Sequence, residues 1–165
     1  MAISAPTYVV STTELTNQNV IVTATFDPSA TDVTNSWSYQ AASSTEPTEW
    51  TVYDGPITVN VNGTVYLMTR KNDLSEIVTT ECVISNIDKV KPEITVSADI
   101  TDLTNKDVVV SATFTDNSDQ IVEKVYSIDG GTTWVAYDAE AGVKFEANGT
   151  VQFKATDKAG NVSEI

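Results

Sequence analysis

Val108, Val110, Ala112 and Phe114 alternate with Val109, Ser111 and Thr113, a period of two that marks a half-buried β-strand. Val20, Val22, Ala24 and Phe26 repeat the pattern in the first half of the chain. Val151, Phe153 and Ala155 alternate in the same way with Gln152, Lys154 and Thr156. No segment sustains a helical period. In the second half the pattern predicts strands near 93–99, 107–115, 122–129, 132–138, 143–147 and 150–157, with a last one starting near 162. Asn148-Gly149 lies between two of these, and Asn62-Gly63 holds the same place in the first half. That dipeptide best fits a two-residue hairpin with positive φ at both central positions.

The two halves share one order of elements. Pro6 answers to Pro92, Leu15-Thr16-Asn17 to Leu103-Thr104-Asn105, and Ala24-Thr25-Phe26 to Ala112-Thr113-Phe114. Trp50-x-x-Tyr53 recurs as Trp134-x-x-Tyr137, Asn62-Gly63-Thr64-Val65 as Asn148-Gly149-Thr150-Val151, and Ser75-Glu76-Ile77 as Ser163-Glu164-Ile165. Offsets of 84 to 88 residues are too long for a solenoid unit and match a whole small domain. The expectation is therefore all-β: two tandem immunoglobulin-like sandwiches over 1–88 and 89–165, each of about seven short strands. Val20, Val22, Phe26, Val65 and Leu67 should form one core, and Val108, Val110, Phe114, Val151 and Phe153 the other. Pro92 fixes its own φ and biases Lys91 toward an extended conformation, so the linker should be stretched and the pair elongated.

Composition narrows the function. The formal charge is −14, and both halves are acidic, so counterion release from nucleic acid cannot drive binding. No apolar run is long enough for a transmembrane helix, and Met1-Ala2 opens no signal peptide; the chain reads as an excerpt of something longer. Cys82 stands alone, which excludes an internal disulfide and fits a buried apolar thiol on the last strand of the first copy. Histidine is absent, which removes the commonest general base and transition-metal ligand.

Across nearly all of the second copy, the residues Tyr126-Ser127-Ile128-Asp129-Gly130-Gly131, Trp134-x-x-Tyr137, Asn148-Gly149-Thr150 and Asp157-Lys158-Ala159-Gly160-Asn161-Val162-Ser163 form a recognisable set. This set resembles the bacterial immunoglobulin-like repeats found in tandem within large secreted or surface-attached proteins. The first copy departs from it at Ala42-Ser43-Ser44-Thr45 and at the shortened turn Lys71-Asn72-Asp73. The resemblance implies a sandwich fold, an extracellular setting at the bacterial cell surface or in secreted form, and no particular ligand.

Candidate chemistry is sparse. Ser127-x-Asp129-x-Gly131-x-Thr133-Trp134 fits the Asp-box hairpin of sialidases, but a sialidase needs several arginines, and only Arg70 is present. A structural turn is the better reading. The carboxylate pairs Asp116/Asp119 and Glu46/Glu49 are what an acid-rich surface produces without catalysis, so no catalytic residue is assigned. Among the aromatics, Trp37 and Tyr39 share a face and are the candidates for a sugar platform. Calcium at one end of the second copy would draw on Asp88, Asp116, Asp119 and Asp157, with Asn117 and Asn161 nearby. The competing reading gives these residues only turns to cap. After Ser163-Glu164-Ile165 the second copy has no counterpart of Val78–Ser85, so its last strand should be a stub and its edge open. The expected function is a non-catalytic structural or adhesive repeat acting as an elongated spacer between neighbouring repeats. The alternatives are a carbohydrate- or host-protein-binding module and an accessory piece of a secreted enzyme.

Overall fold

The structure is a computed structural model, described here for residues 2–41 and 47–165. Glu46 and the Ala42-Ser43-Ser44-Thr45 segment lie outside the described residues. The chain divides into two compact units, 1–88 and 89–165. Among the described residues there is no helix, and the strands pair antiparallel.

In the first unit one sheet contains β1 (Thr7–Val10), β2 (Val20–Thr25) and β5 (Ile57–Val59), in the order β1-β2-β5. The other contains β3 (Val33–Ala41), β4 (Thr51–Val52), β6 (Gly63–Lys71) and β7 (Ile77–Ile84), in the order β4-β3-β6-β7. The alternation in β2 works as its period dictates: Val20 and Val22 are fully buried while Ile21 and Thr23 are half-buried. They meet Val65 and Leu67 of β6, also fully buried, with Phe26, Trp37, Tyr39 and Tyr53 packed around the cluster. Cys82 lies on β7 and is buried, as its apolar reading expected.

The second unit repeats this plan. Its sheets are β8 (Glu93–Ala98), β9 (Val108–Thr115) and β12 (Val143–Phe145), in the order β12-β9-β8, and β10 (Ile121–Ser127), β11 (Val135–Ala136) and β13 (Gln152–Asp157), in the order β11-β10-β13. Each strand of the first unit except β7 has its counterpart here. In the place of β7 there is only an isolated bridge, Thr156 to Val162, and a bond from the Ser163 N–H to the Ala155 carbonyl at 2.9 Å. Its core is accordingly thinner: Ala112, Val143 and Phe153 are buried, with Val110, Phe114 and Val151 only partly so. Val108 departs from expectation. It stands half-buried at the start of β9, where it lines a surface recess beside Phe145 and Gly149.

The Asn-Gly reading is corrected. β5 pairs with β2 and β12 with β9, so neither strand makes a hairpin with the strand that follows it. The dipeptide instead sits where the chain crosses from one sheet to the other, and neither Asn-Gly pair has the positive φ expected of the hairpin turn. Its residues have other reasons to be there. The Asn62 side chain clamps the backbone of Ile87, donating from Nδ2 to the carbonyl (2.9 Å) and accepting the N–H at Oδ1 (2.8 Å). A Cβ on Gly63 would meet the Gln40 carbonyl oxygen at 2.5 Å, and one on Gly149 the Phe145 ring at 2.5 Å. Close approach, rather than turn conformation, selects glycine here.

Candidate functional site

The repeated motifs resolve first into a structural device. Tyr53 and Tyr137 occupy the same place in the two units. The Tyr53 hydroxyl accepts the Ala24 N–H at 3.1 Å, and the Tyr137 hydroxyl accepts the Ala112 N–H at 2.8 Å. Their rings lie against Phe26 and Phe114, with centroids 5.0 and 5.4 Å apart. Ala-Thr-Phe and Trp-x-x-Tyr, distant in sequence, therefore form one packing unit. Tyrosine is the inward member of each Trp-x-x-Tyr, and Trp134 stays half-exposed under Lys154, whose ammonium sits 4.5 Å from the ring centroid. Nothing in the local sequence marks Lys154 as that partner, because it is their shared neighbour β10 that brings β13 and the Trp134 turn together.

The Asp-box pattern is a turn held from within. Asp129 accepts the Thr133 N–H at 2.9 Å and the Thr133 hydroxyl at 2.6 Å, and the Ser127 hydroxyl donates to it at 2.7 Å. The Ser127 oxygen in turn accepts the Gly131 N–H at 2.9 Å, with Gly131 at φ +87°. The Thr133 hydroxyl first, then its N–H and the Ser127 hydroxyl, hold the Asp129 carboxyl down at about 2. The turn also cuts the expected strand over 132–138 to Val135–Ala136.

Among the acidic candidates in the second unit, Asp116 and Asp157 come together, their carboxylate oxygens within 4.8 Å. Each also shapes its own turn. Asp116 accepts the Ser118 N–H at 3.0 Å and the Ser118 hydroxyl through the same oxygen, while its other oxygen is buried with no hydrogen-bond partner. Asp157 is 1% exposed and accepts the Asn161 N–H and the Asn161 side-chain amide, both at 2.7 Å. Asp119 does not join this pair: it is exposed, at φ +53°, in the turn closed by its N–H to the Asp116 carbonyl. Asp88 closes the first unit, where it is buried and donates its N–H to the Thr16 carbonyl at 2.9 Å.

Trp37 and Tyr39 lie on β3 directly opposite Leu67 and Val65 of β6, and both rings pack against the first unit's core. What they leave exposed lines a recess of about 620 Å³ with Trp50, Glu49 and Thr51. The Tyr39 hydroxyl donates to the carbonyls of Val61 and Asn62 at 2.8 and 3.1 Å, so it is engaged within the protein. Comparison with protein families and with curated proteins finds no match to this chain.

Proposed function

We propose that the chain is a non-catalytic structural or adhesive repeat of a larger extracellular bacterial surface protein, serving as a spacer between neighbouring repeats. The observation that carries this reading is the recurrence of one strand plan and one Ala–Tyr–Phe packing device in both units. A repeated spacer needs the same fold twice, not the same polar loops twice, and the loops are where the copies differ. The distinctive carboxylates Asp129, Asp116 and Asp157 are engaged in turns, and the acidic surface gives nucleic acid no foothold. Single-molecule pulling from the two termini tests the reading. Two separate unfolding events, one per unit, are expected; a single low-force extension would remove the mechanical argument.

The Trp37–Tyr39–Trp50 recess supports a second reading, a carbohydrate-binding module, since rings left partly exposed can stack on sugar faces. A glycan array separates the two. Binding lost in Trp50→Ala with the fold retained would favour the module, and a blank array the spacer. Calcium is the cofactor to test beside either. Two carboxylates within 4.8 Å repel one another, and a hard cation that takes oxygen ligands would relieve this through the unpartnered Asp116 oxygen and Asp157. Equal melting midpoints in calcium and in chelator would dispose of that role.

A further inference from the structure

The chain contains two Asp-Gly dipeptides, Asp54-Gly55 in the first unit and Asp129-Gly130 in the second. An aspartyl residue rearranges most readily before glycine, which gives the backbone the freedom that ring closure needs. The glycine nitrogen attacks the aspartyl Cγ, the carboxyl leaves as water, and a cyclic succinimide forms. Water then opens the ring at either carbonyl, returning aspartate or leaving isoaspartate, with no net change in mass. Two conditions govern the step. The carboxyl must be protonated, because only then does it depart as water, and the side chain must be free to swing back over its neighbour's N–H.

Exposure does not separate the two sites, since Asp54 and Asp129 are both exposed. Steric room does not either: an added Cβ at Gly55 or at Gly130 would meet nothing within 4 Å. The carboxylate partners do. At Asp129 the Thr133 hydroxyl donates to Oδ2 at 2.6 Å, while the Thr133 N–H and the Ser127 hydroxyl donate to Oδ1 at 2.9 and 2.7 Å. These bonds, the Thr133 hydroxyl foremost, favour the charged form and hold the carboxyl at about 2. Asp54 carries no side-chain hydrogen bond or ion pair among the described residues, and the Gly55 N–H joins no backbone bond. We propose that Asp54-Gly55 is an isoaspartate-forming site of the folded protein, and that Ser127 and Thr133 shut off the same chemistry at Asp129-Gly130. The site lies between two anchored points. Before it, Tyr53 donates its N–H to the Asn35 carbonyl at 2.9 Å and accepts the Ala24 N–H at its hydroxyl. After it, β5 pairs with β2. Isoaspartate places an extra backbone carbon between them, a covalent change to the first unit that needs no enzyme.

The test is to hold the 165-residue protein for weeks in mildly acidic buffer, once native and once in denaturant, and to map its peptides. An isoaspartyl peptide separates from its parent at unchanged mass and resists an Asp-directed protease, whereas deamidation at either Asn-Gly raises the mass and is read apart. In the native protein isoaspartate should accumulate at Asp54 at least about tenfold faster than at Asp129, where hydrogen bonds to a charged acceptor must break first. In denaturant the two rates should converge. Thr133→Val, native by circular dichroism, should raise the rate at Asp129 and leave Asp54 unchanged. Equal rates in the native protein would overturn the proposal. A difference that persists in denaturant would also sink it, since the flanking sequence rather than the fold would then be the cause, as would isoaspartate that forms at Asp54 only in denaturant.

Discussion

Asp129 organises the Ser127–Thr133 turn through a carboxylate whose folded value, about 2, lies below its ordinary 3.8. A depressed carboxyl contributes stability that is complete above the ordinary value and is lost as the pH falls through the folded one. The second unit should therefore weaken between about pH 4 and pH 2, and Asp129→Ala should lower its melting midpoint at neutral pH while flattening that acid limb. Circular dichroism melts across this range, wild type against variant, check it. Gly63 makes a different demand. An added Cβ would meet the Gln40 carbonyl oxygen at 2.5 Å and the Tyr39 hydroxyl at 2.7 Å, and the first of these is backbone that cannot step aside. Gly63→Ala should cost the first unit about 1–3 kcal/mol, read from denaturant midpoints. Tyr137→Phe keeps the ring against Phe114 and removes only the acceptor for the Ala112 N–H. Its cost should be about 1–3 kcal/mol, that of a lost bond to a part-buried donor.

At the level of elements, the two units as described differ by one strand, and in this 165-residue chain that difference should make the second unit the less stable. β7 covers β6 and brings Cys82 and Ile84 into the first core, whose buried cluster holds ten hydrophobic residues among those described, against three in the second. Apolar burial stabilises roughly in proportion to area, so the second unit has less to set against its chain entropy. Hydrogen exchange should show β9 and β13 amides opening at lower free energy than those of β2 and β6. Equal protection would mean that the half-buried ring of Phe114, Tyr126 and Tyr137 around Phe153 compensates for the missing strand.

For the whole chain, charge is the dominant long-range term. A formal charge of −14 on 165 residues with no histidine leaves no imidazole to change charge between pH 5 and 8. The ion pairs Lys71–Glu76, Lys144–Asp107 and Lys91–Glu164 engage three of the nine bases and are partly or well exposed, so they contribute little. Net repulsion among the acids should be screened by salt. Raising sodium chloride from about 0.05 to about 0.5 M should raise the melting midpoints of both units, whereas stabilisation dominated by attractive pairs would move them the other way.

What the sequence determined on its own is the class and spacing of the elements. The period of two in Val20–Phe26, Val108–Phe114 and Val151–Ala155 names strands and their inward faces, because side-chain direction in a strand is a local property of the backbone. The repeat likewise foretold that one strand plan would appear twice. Partner choice was not legible. Asn62-Gly63 and Asn148-Gly149 carry a strong hairpin signal, yet each joins strands that pair elsewhere, and glycine is needed for close contact with Gln40 or Phe145. Of the candidate acids, Asp116 and Asp157 meet in space while Asp119 turns away at a positive φ. Trp37 and Tyr39 share a face as their spacing required, but only the opposing Leu67 and Val65 make it the core face. The tertiary structure decided these points because each depends on groups brought close by long-range pairing, and alternation along a strand does not specify which strand lies beside it.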